Sequence, residues 1–208
     1  MYKRQIEDAA GASDPLALRV RAEIGLAAWD IEGAESAALQ LADIDREDPW
    51  PFVTLALVHD LRGDVPQALE AQAHAHALDP EHVHPPFTVE DSEFDEVVNQ
   101  TLKRLPDMFR EALEKVRIVR EPTPSTELAQ GAPLETPPDV LGLFHGRTIH
   151  EQELSGELPP TVYLFRRNLE RTARNTEELT EEIRITLLHE IGHALGLDED
   201  EVRAMGLA

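Results

Sequence analysis

Cysteine is missing altogether from the 208 residues. That absence excludes disulfides and thiolate metal sites. Positive charge is scarce as well. Nineteen Lys and Arg face 41 Asp and Glu, giving a formal net charge of -22 and a pI of 4.6. So acidic a chain argues against duplex nucleic acid and anionic membrane as partners. Lysine occurs only at Lys3, Lys103 and Lys115 while Arg and Ala abound, a bias that points to a GC-rich genome more than to a mechanism. No apolar run reaches the roughly 18 residues of a membrane span, and no signal-type apolar region follows the start. The expectation is a cytoplasmic protein. The length allows one large domain or two small ones, each able to bury a core. The opening Met1-Tyr2-Lys3-Arg4-Gln5 matches the translation of a common sequencing-adapter end. It is set aside from the fold reading, with the natural start expected elsewhere.

What the chain does have is "LLHEIGHALGLDEDE", in which His189, Glu190 and His193 form an H-E-x-x-H run. Residues four apart lie on one helix face, about 5–6 Å apart at Cβ, so both imidazoles can converge on one zinc ion. Glu190, on the flank of that face, can take a proton from a water activated by the metal. A shuffled chain of this composition would show the pentapeptide about once in twenty trials, so the flanks decide. Gly196 lies where a left-handed C-cap would turn the chain back, and Glu199 lies beyond it. Asn175 with Glu178 reads as a capping box, and Glu177, Glu178, Glu181 and Glu182 crowd the first turns. Leu179, Ile183, Leu187, Ile191 and Leu195 form a stripe at four-residue spacing. The bland alternative is a surface helix with two histidines and a core stripe.

Two nitrogens are too few for a catalytic zinc site, which has three protein ligands and one open position. One arrangement takes the third ligand from a Glu on a second helix, some twenty or more residues downstream. Only fifteen residues follow His193 here. The other arrangement turns at the glycine after the helix and offers a ligand six residues past the second His. That residue is Glu199, with Asp198 and Asp200 as neighbours that a small register change would bring in. Carboxylate oxygen is an acceptable zinc ligand. His145 and His150 are the next candidates.

Upstream, "DLRGDVPQALEAQAHAHALDP" carries Gly63, Ala68, Ala75, Leu78 and Pro80 at the spacings of a tetratricopeptide repeat, which it resembles. "DIEGAESAALQLADIDREDP" places Gly33, Ala38 and Pro49 in nearly the same register. Small residues at the helix contact and a glycine at the turn suit a packed helical hairpin. The aromatic positions of the repeat are thin, and His59 and Gln72 stand where bulkier residues are common. His74, His76, His82 and His84 invite a metal reading. Residues i and i+2 of a helix face about 200° apart, however, so solvated or packed histidines are the simpler account. Pro80, Pro85 and Pro86 mark a boundary. Phe94, Val97, Val98, Leu102 and Leu105 predict one helix, and Pro106 opens another with Phe109, Leu113 and Val116. "VRIVRE", "VLGLF" and "TVYLFR" read as strands. Between the first two, residues 121–138 carry five prolines and little pattern, and read as a loop, flexible or rimming the site.

Residues from about 93 to 204 resemble the small bacterial "minimal" zincin-like metallopeptidase family. The resemblance runs through "FDEVVNQTLKRLPDMFREALEKVRIVRE", "VLGLFHG", "TVYLFRRNLE" and "EEIRITLLHEIGHALGLDED". It implies an α+β fold with a short sheet beside the motif helix and a zinc site from His189 and His193. It also implies Glu190 as catalytic acid/base, and an acid, often Asp in the family, where Glu199 stands. The organisation expected is therefore tetratricopeptide-like helical hairpins over residues 1–85 and a zincin-like domain over 86–208. The function expected is zinc-dependent hydrolysis of a peptide or protein substrate, with a protein partner engaged through the helical repeats. "TVYLFR", as an edge strand beside the site, would pair with an extended substrate. His145, His150, Tyr163 and Arg166 are open candidates for stabilising the oxyanion, although strand packing and surface charge account for Tyr163 and Arg166 more simply. The competing reading is a protein-interaction module whose zinc site is structural or idle. A metal-binding chaperone comes third, because only one motif offers clustered ligands.

Overall fold

Aspartates and prolines start the N-terminal helices. In the computed structural model, which describes residues 14–131, 136–155 and 159–204, Asp14 accepts from the Leu16 and Ala17 amides and opens α1 (Pro15–Ala27). Asp30 caps α2 (Ile31–Ile44) through the Gly33 amide, and Asp64 caps α4 (Val65–Leu78) through the Gln67 amide. Between them, α3 (Trp50–Leu61) begins at Pro49 and Pro51. Such caps satisfy amides that a helix start leaves without partners. Each helix packs on the next, as successive hairpins do. Equivalent positions recur with an offset of 34 residues. Trp29 and Gly63 both take positive φ (57° and 75°), Asp30 and Asp64 both cap, Ala34 and Ala68 are both buried, and Asp45 and Asp79 both end helices. The register read from sequence, which matched Gly33 with Gly63, is therefore four residues off. Gly33 sits inside the first turn of α2, where a Cβ would lie 2.3 Å from the capping carboxylate of Asp30.

The chain separates into two compact units. The first takes in the chain up to Pro86 together with Pro124–Asp139; the second takes Phe87–Thr123 and Val140–Ala208. The proline-rich stretch is thus more than a loop. It contains α7 (Thr126–Gly131), and the Thr136 carbonyl accepts from the Trp29 indole N–H at 2.9 Å within the first unit.

The second unit is α+β. After α5 (Asp91–Arg104) and α6 (Asp107–Leu113) come β1 (Arg117–Glu121), β2 (Gly142–His145), α8 (Ile149–Ser155) and β3 (Thr161–Phe165). Then follow α9 (Arg166–Arg171), α10 (Thr176–Ala194) and α11 (Glu199–Ala204). The strand order is β1-β3-β2, with β1 parallel and β2 antiparallel to β3. "TVYLF" is therefore the central strand and cannot be the substrate-facing edge; β2 is an edge. The core gathers Phe94, Phe109, Val162, Leu164, Ile183 and Leu187, so the helix stripes read from sequence do face inward. Leu195 is the exception. It is the C-cap residue and 38% exposed. No helix among the described residues is long and apolar enough to cross a membrane.

Candidate functional site

The motif helix α10 is fixed at both ends by its own sequence. Asn175 accepts from the Glu177 and Glu178 amides at 3.0 Å, while Glu178 reaches back to the Arg174 amide, one residue earlier than a capping box would place it. At the other end Gly196, at φ 93°, lets its own amide bond the His193 carbonyl at 2.9 Å and lets the Leu197 amide bond Gly192 at 3.0 Å. This is the Schellman termination, and an L-residue at that φ would be strained.

The turn does more than end the helix. It aims the Leu197 carbonyl at His193 Nδ1, 3.0 Å away. A carbonyl can only accept, so Nδ1 carries the proton and Nε2 keeps its lone pair. His193 Nε2 lies 3.1 Å from His189 Nε2, with the two half-buried rings nearly perpendicular at 83°. Two nitrogens each about 2.0–2.1 Å from one zinc at a tetrahedral angle stand about 3.3 Å apart. The imidazole pair fits a zinc ion on that measure. The Leu197 carbonyl is the type of outer partner that fixes a ligating ring.

Glu190, buried at 9% exposure, lies on the flank of the same helix, and its Oε2 accepts from the Phe144 amide of β2 at 2.6 Å. Gly142 allows that approach. A Cβ there would come 2.5 Å from Thr186 Cγ2 and 3.1 Å from Glu190 Cγ. Both features escaped the sequence reading, although a glycine inside a strand pattern is a signal of close backbone approach.

Glu199 is the first residue of α11; its side chain lies outside the described residues. Its neighbours are committed elsewhere. Asp198 accepts from the Glu201 amide at 2.9 Å while Glu201 accepts from the Asp198 amide at 3.0 Å, a reciprocal box that starts α11. Asp200 is exposed and pairs with Arg203 at 3.4 Å. Val202 packs beside Gly192, where a Cβ would sit 3.1 Å from its Cγ2, so α11 returns to the stretch of α10 between the two histidines. Among the described residues, no group of three or more His, Asp and Glu side chains is placed to hold a metal.

The remaining candidates fall away from the motif. His145 is on the face of β2 opposite to Gly142 and Phe144, with its ring edge-on to Tyr163. His150 is exposed on α8, Tyr163 stacks on Phe165, and Arg166 pairs with Asp91 and Glu170. In the first unit His74 lies against Phe52, His76 against the Val83 carbonyl and His82 against Asp79, as packed and solvated histidines would.

Residues 113–207, which contain the sheet, the motif helix and α11, match the family model described as Zincin-like metallopeptidase. No curated protein matches the chain.

Proposed function

We propose that the chain is a zinc-dependent peptidase, with His189, His193 and Glu199 as metal ligands and Glu190 as general base. The observation that carries the reading is the convergence of His189 Nε2 and His193 Nε2 to 3.1 Å, with the His193 tautomer set by Leu197. When bound, zinc supplies Lewis acidity toward a carbonyl and lowers the pKa of a water. Glu190 takes the proton of the attacking water and returns it to the departing amine nitrogen as the C–N bond breaks. Glu199 is favoured over Asp198 and Asp200 because those two carboxylates are engaged in a helix cap and an exposed ion pair.

The edge strand supplies a surface for an extended substrate. The Phe165 amide bonds the Leu141 carbonyl, so Leu141, Leu143 and His145 point their backbone groups at β3. Gly142 and Phe144 point theirs outward. The Gly142 amide and both outward carbonyls are the groups a substrate backbone would pair with. We take residues 1–85 as a helical-repeat domain and 86–208 as the hydrolytic domain, with Pro124–Asp139 an excursion from the second into the first. The 34-residue offset between the hairpins supports a tetratricopeptide-like first domain that engages a protein partner or substrate.

The test is metal analysis of purified protein beside the Glu190→Gln variant, with hydrolysis of unfolded peptides as the second readout. Wild type should hold about one zinc per chain. Glu190→Gln should keep the metal and lose hydrolysis by roughly 10²–10⁴-fold. Metal-free wild type refutes the zinc site, and metal loss in Glu190→Gln refutes the general-base role.

A further inference from the structure

We infer that β2 is the positioning element for Glu190: Gly142 lets the side chain pass against the strand, and the Phe144 backbone amide anchors one carboxylate oxygen. For its kinetic arm the inference rests on the hydrolytic reading above; its spectroscopic arm stands without it.

Three observations carry it. The Phe144 amide faces away from β3, so the sheet cannot use it, and it donates instead to Glu190 Oε2 at 2.6 Å. That is a short N–H···O bond to a carboxylate oxygen. Second, Gly142 has no unusual backbone conformation to explain it; what it has is a crowded Cβ direction. An alanine methyl would meet Thr186 Cγ2 at 2.5 Å, the Tyr163 carbonyl at 3.0 Å and Glu190 Cγ at 3.1 Å. Third, Thr186 and Glu190 are one helical turn apart on α10. The missing side chain therefore clears the two residues that stack along the strand. The donor belongs to a main chain held by the β2–β3 ladder, so the carboxylate is referenced to a rigid element rather than to another side chain. A general base displaced by about 1 Å loses on the order of 10²-fold in rate.

The experiment uses the full chain, labelled with nitrogen-15, with and without zinc. The Phe144 amide proton should resonate downfield in wild type and move upfield in Glu190→Ala. Gly142→Ala should move the same resonance upfield and lower kcat by roughly 10- to 10²-fold. Zinc stoichiometry should hold. Adding Thr186→Ser removes the closest methyl, so Gly142→Ala/Thr186→Ser should recover part of both effects, the contacts with the Tyr163 carbonyl and Glu190 Cγ remaining. A merely structural glycine would lower zinc content or melt the protein without this split. A Phe144 resonance that stays in place in Glu190→Ala overturns the proposal, and so does wild-type kcat in a folded Gly142→Ala. If Gly142→Ala unfolds, the Glu190→Ala spectrum decides alone. If wild type cleaves nothing, the hydrolytic reading falls while the resonance still settles the anchoring.

Discussion

Glu170 offers a sharp energetic test because its carboxylate is wholly buried, at 0% exposure, on α9. Oε1 accepts from the Thr88 hydroxyl at 3.1 Å and from the Val89 amide at 3.0 Å. Oε2 pairs with Arg167, itself only 2% exposed, and Arg166 Nε lies 3.6 Å from Oε1. The carboxylate thus ties the segment leading into α5 to the helix that follows β3. Glu170→Ala removes the carboxylate partner of the buried Arg167 guanidinium, and breaking one side of a buried ion pair costs about 3–5 kcal/mol. It also leaves the Val89 amide unpaired, worth about 1–3 kcal/mol. The two costs overlap, since water entering the vacated space serves both groups, so about 3–5 kcal/mol is the expected total. Against a typical stability of about 5–15 kcal/mol that is a severe loss. Guanidinium unfolding followed by circular dichroism gives the magnitude, and hydrogen exchange at the Val162 and Leu164 amides assigns it to the second unit. Trp29 and Trp50 both lie in the first unit and would report on that one only. Arg167→Met with Glu170→Leu should recover the part due to the broken ion pair, leaving about 1–3 kcal/mol from the Val89 amide. A loss below about 1 kcal/mol for Glu170→Ala would refute the reasoning.

In the first unit Arg62 forms two hydrogen bonds to Glu35, at 2.6 and 2.8 Å, and they hold the Glu35 carboxyl below its usual 4.5. A depressed carboxyl contributes stability that is present above the unfolded value and is lost as pH falls through the folded one. The pair is partly exposed, so Arg62→Ala should cost no more than about 0.2–1 kcal/mol at pH 7 and nothing well below 4.5; an equal cost at both would contradict this. For the metal, Glu199→Ala should weaken zinc binding substantially and Asp200→Ala should leave it unchanged, as read by titration with a chromogenic chelator. Asp198→Ala should weaken it about fivefold through loss of the α11 cap, worth about 1 kcal/mol. Wild-type affinity in Glu199→Ala would remove Glu199 from the ligand set.

The parts of this fold that were legible in the sequence are those whose determinants sit close together in the chain. Asn175, the Leu179–Ile191 stripe and Gly196 specify α10 within its own span, and Phe94 with Val98 does the same for α5. The register of the repeat was misread because its first left-handed position is held by Trp29. Gly33, the glycine that looked equivalent to Gly63, is in fact shaped by the Asp30 cap. Conformation was inferred from residue type, and a bulky residue had taken the glycine's role. The buried Arg167–Glu170 pair was equally hidden. An arginine next to another arginine reads as solvated surface until the segment at Thr88 closes over it.

Strand order was illegible for a different reason. Thr161–Phe165 is the most apolar of the three strands, buried at four of its five positions, which suits a centre flanked on both sides. Read alone, that pattern marks only a strand, because pairing partners are chosen by elements far away in the chain. The same holds for the carboxylate of Glu190. Its helix and its neighbours make it the proposed general base, but the donor that bonds it is a main-chain amide, and every residue but proline has one. Side-chain identity at Phe144 therefore records nothing of the contact. Only the strand residue whose side chain would obstruct the approach can record it, and that residue is Gly142. In this strand the interior Gly142, at ordinary backbone angles, marks the point where the Glu190 side chain meets the sheet.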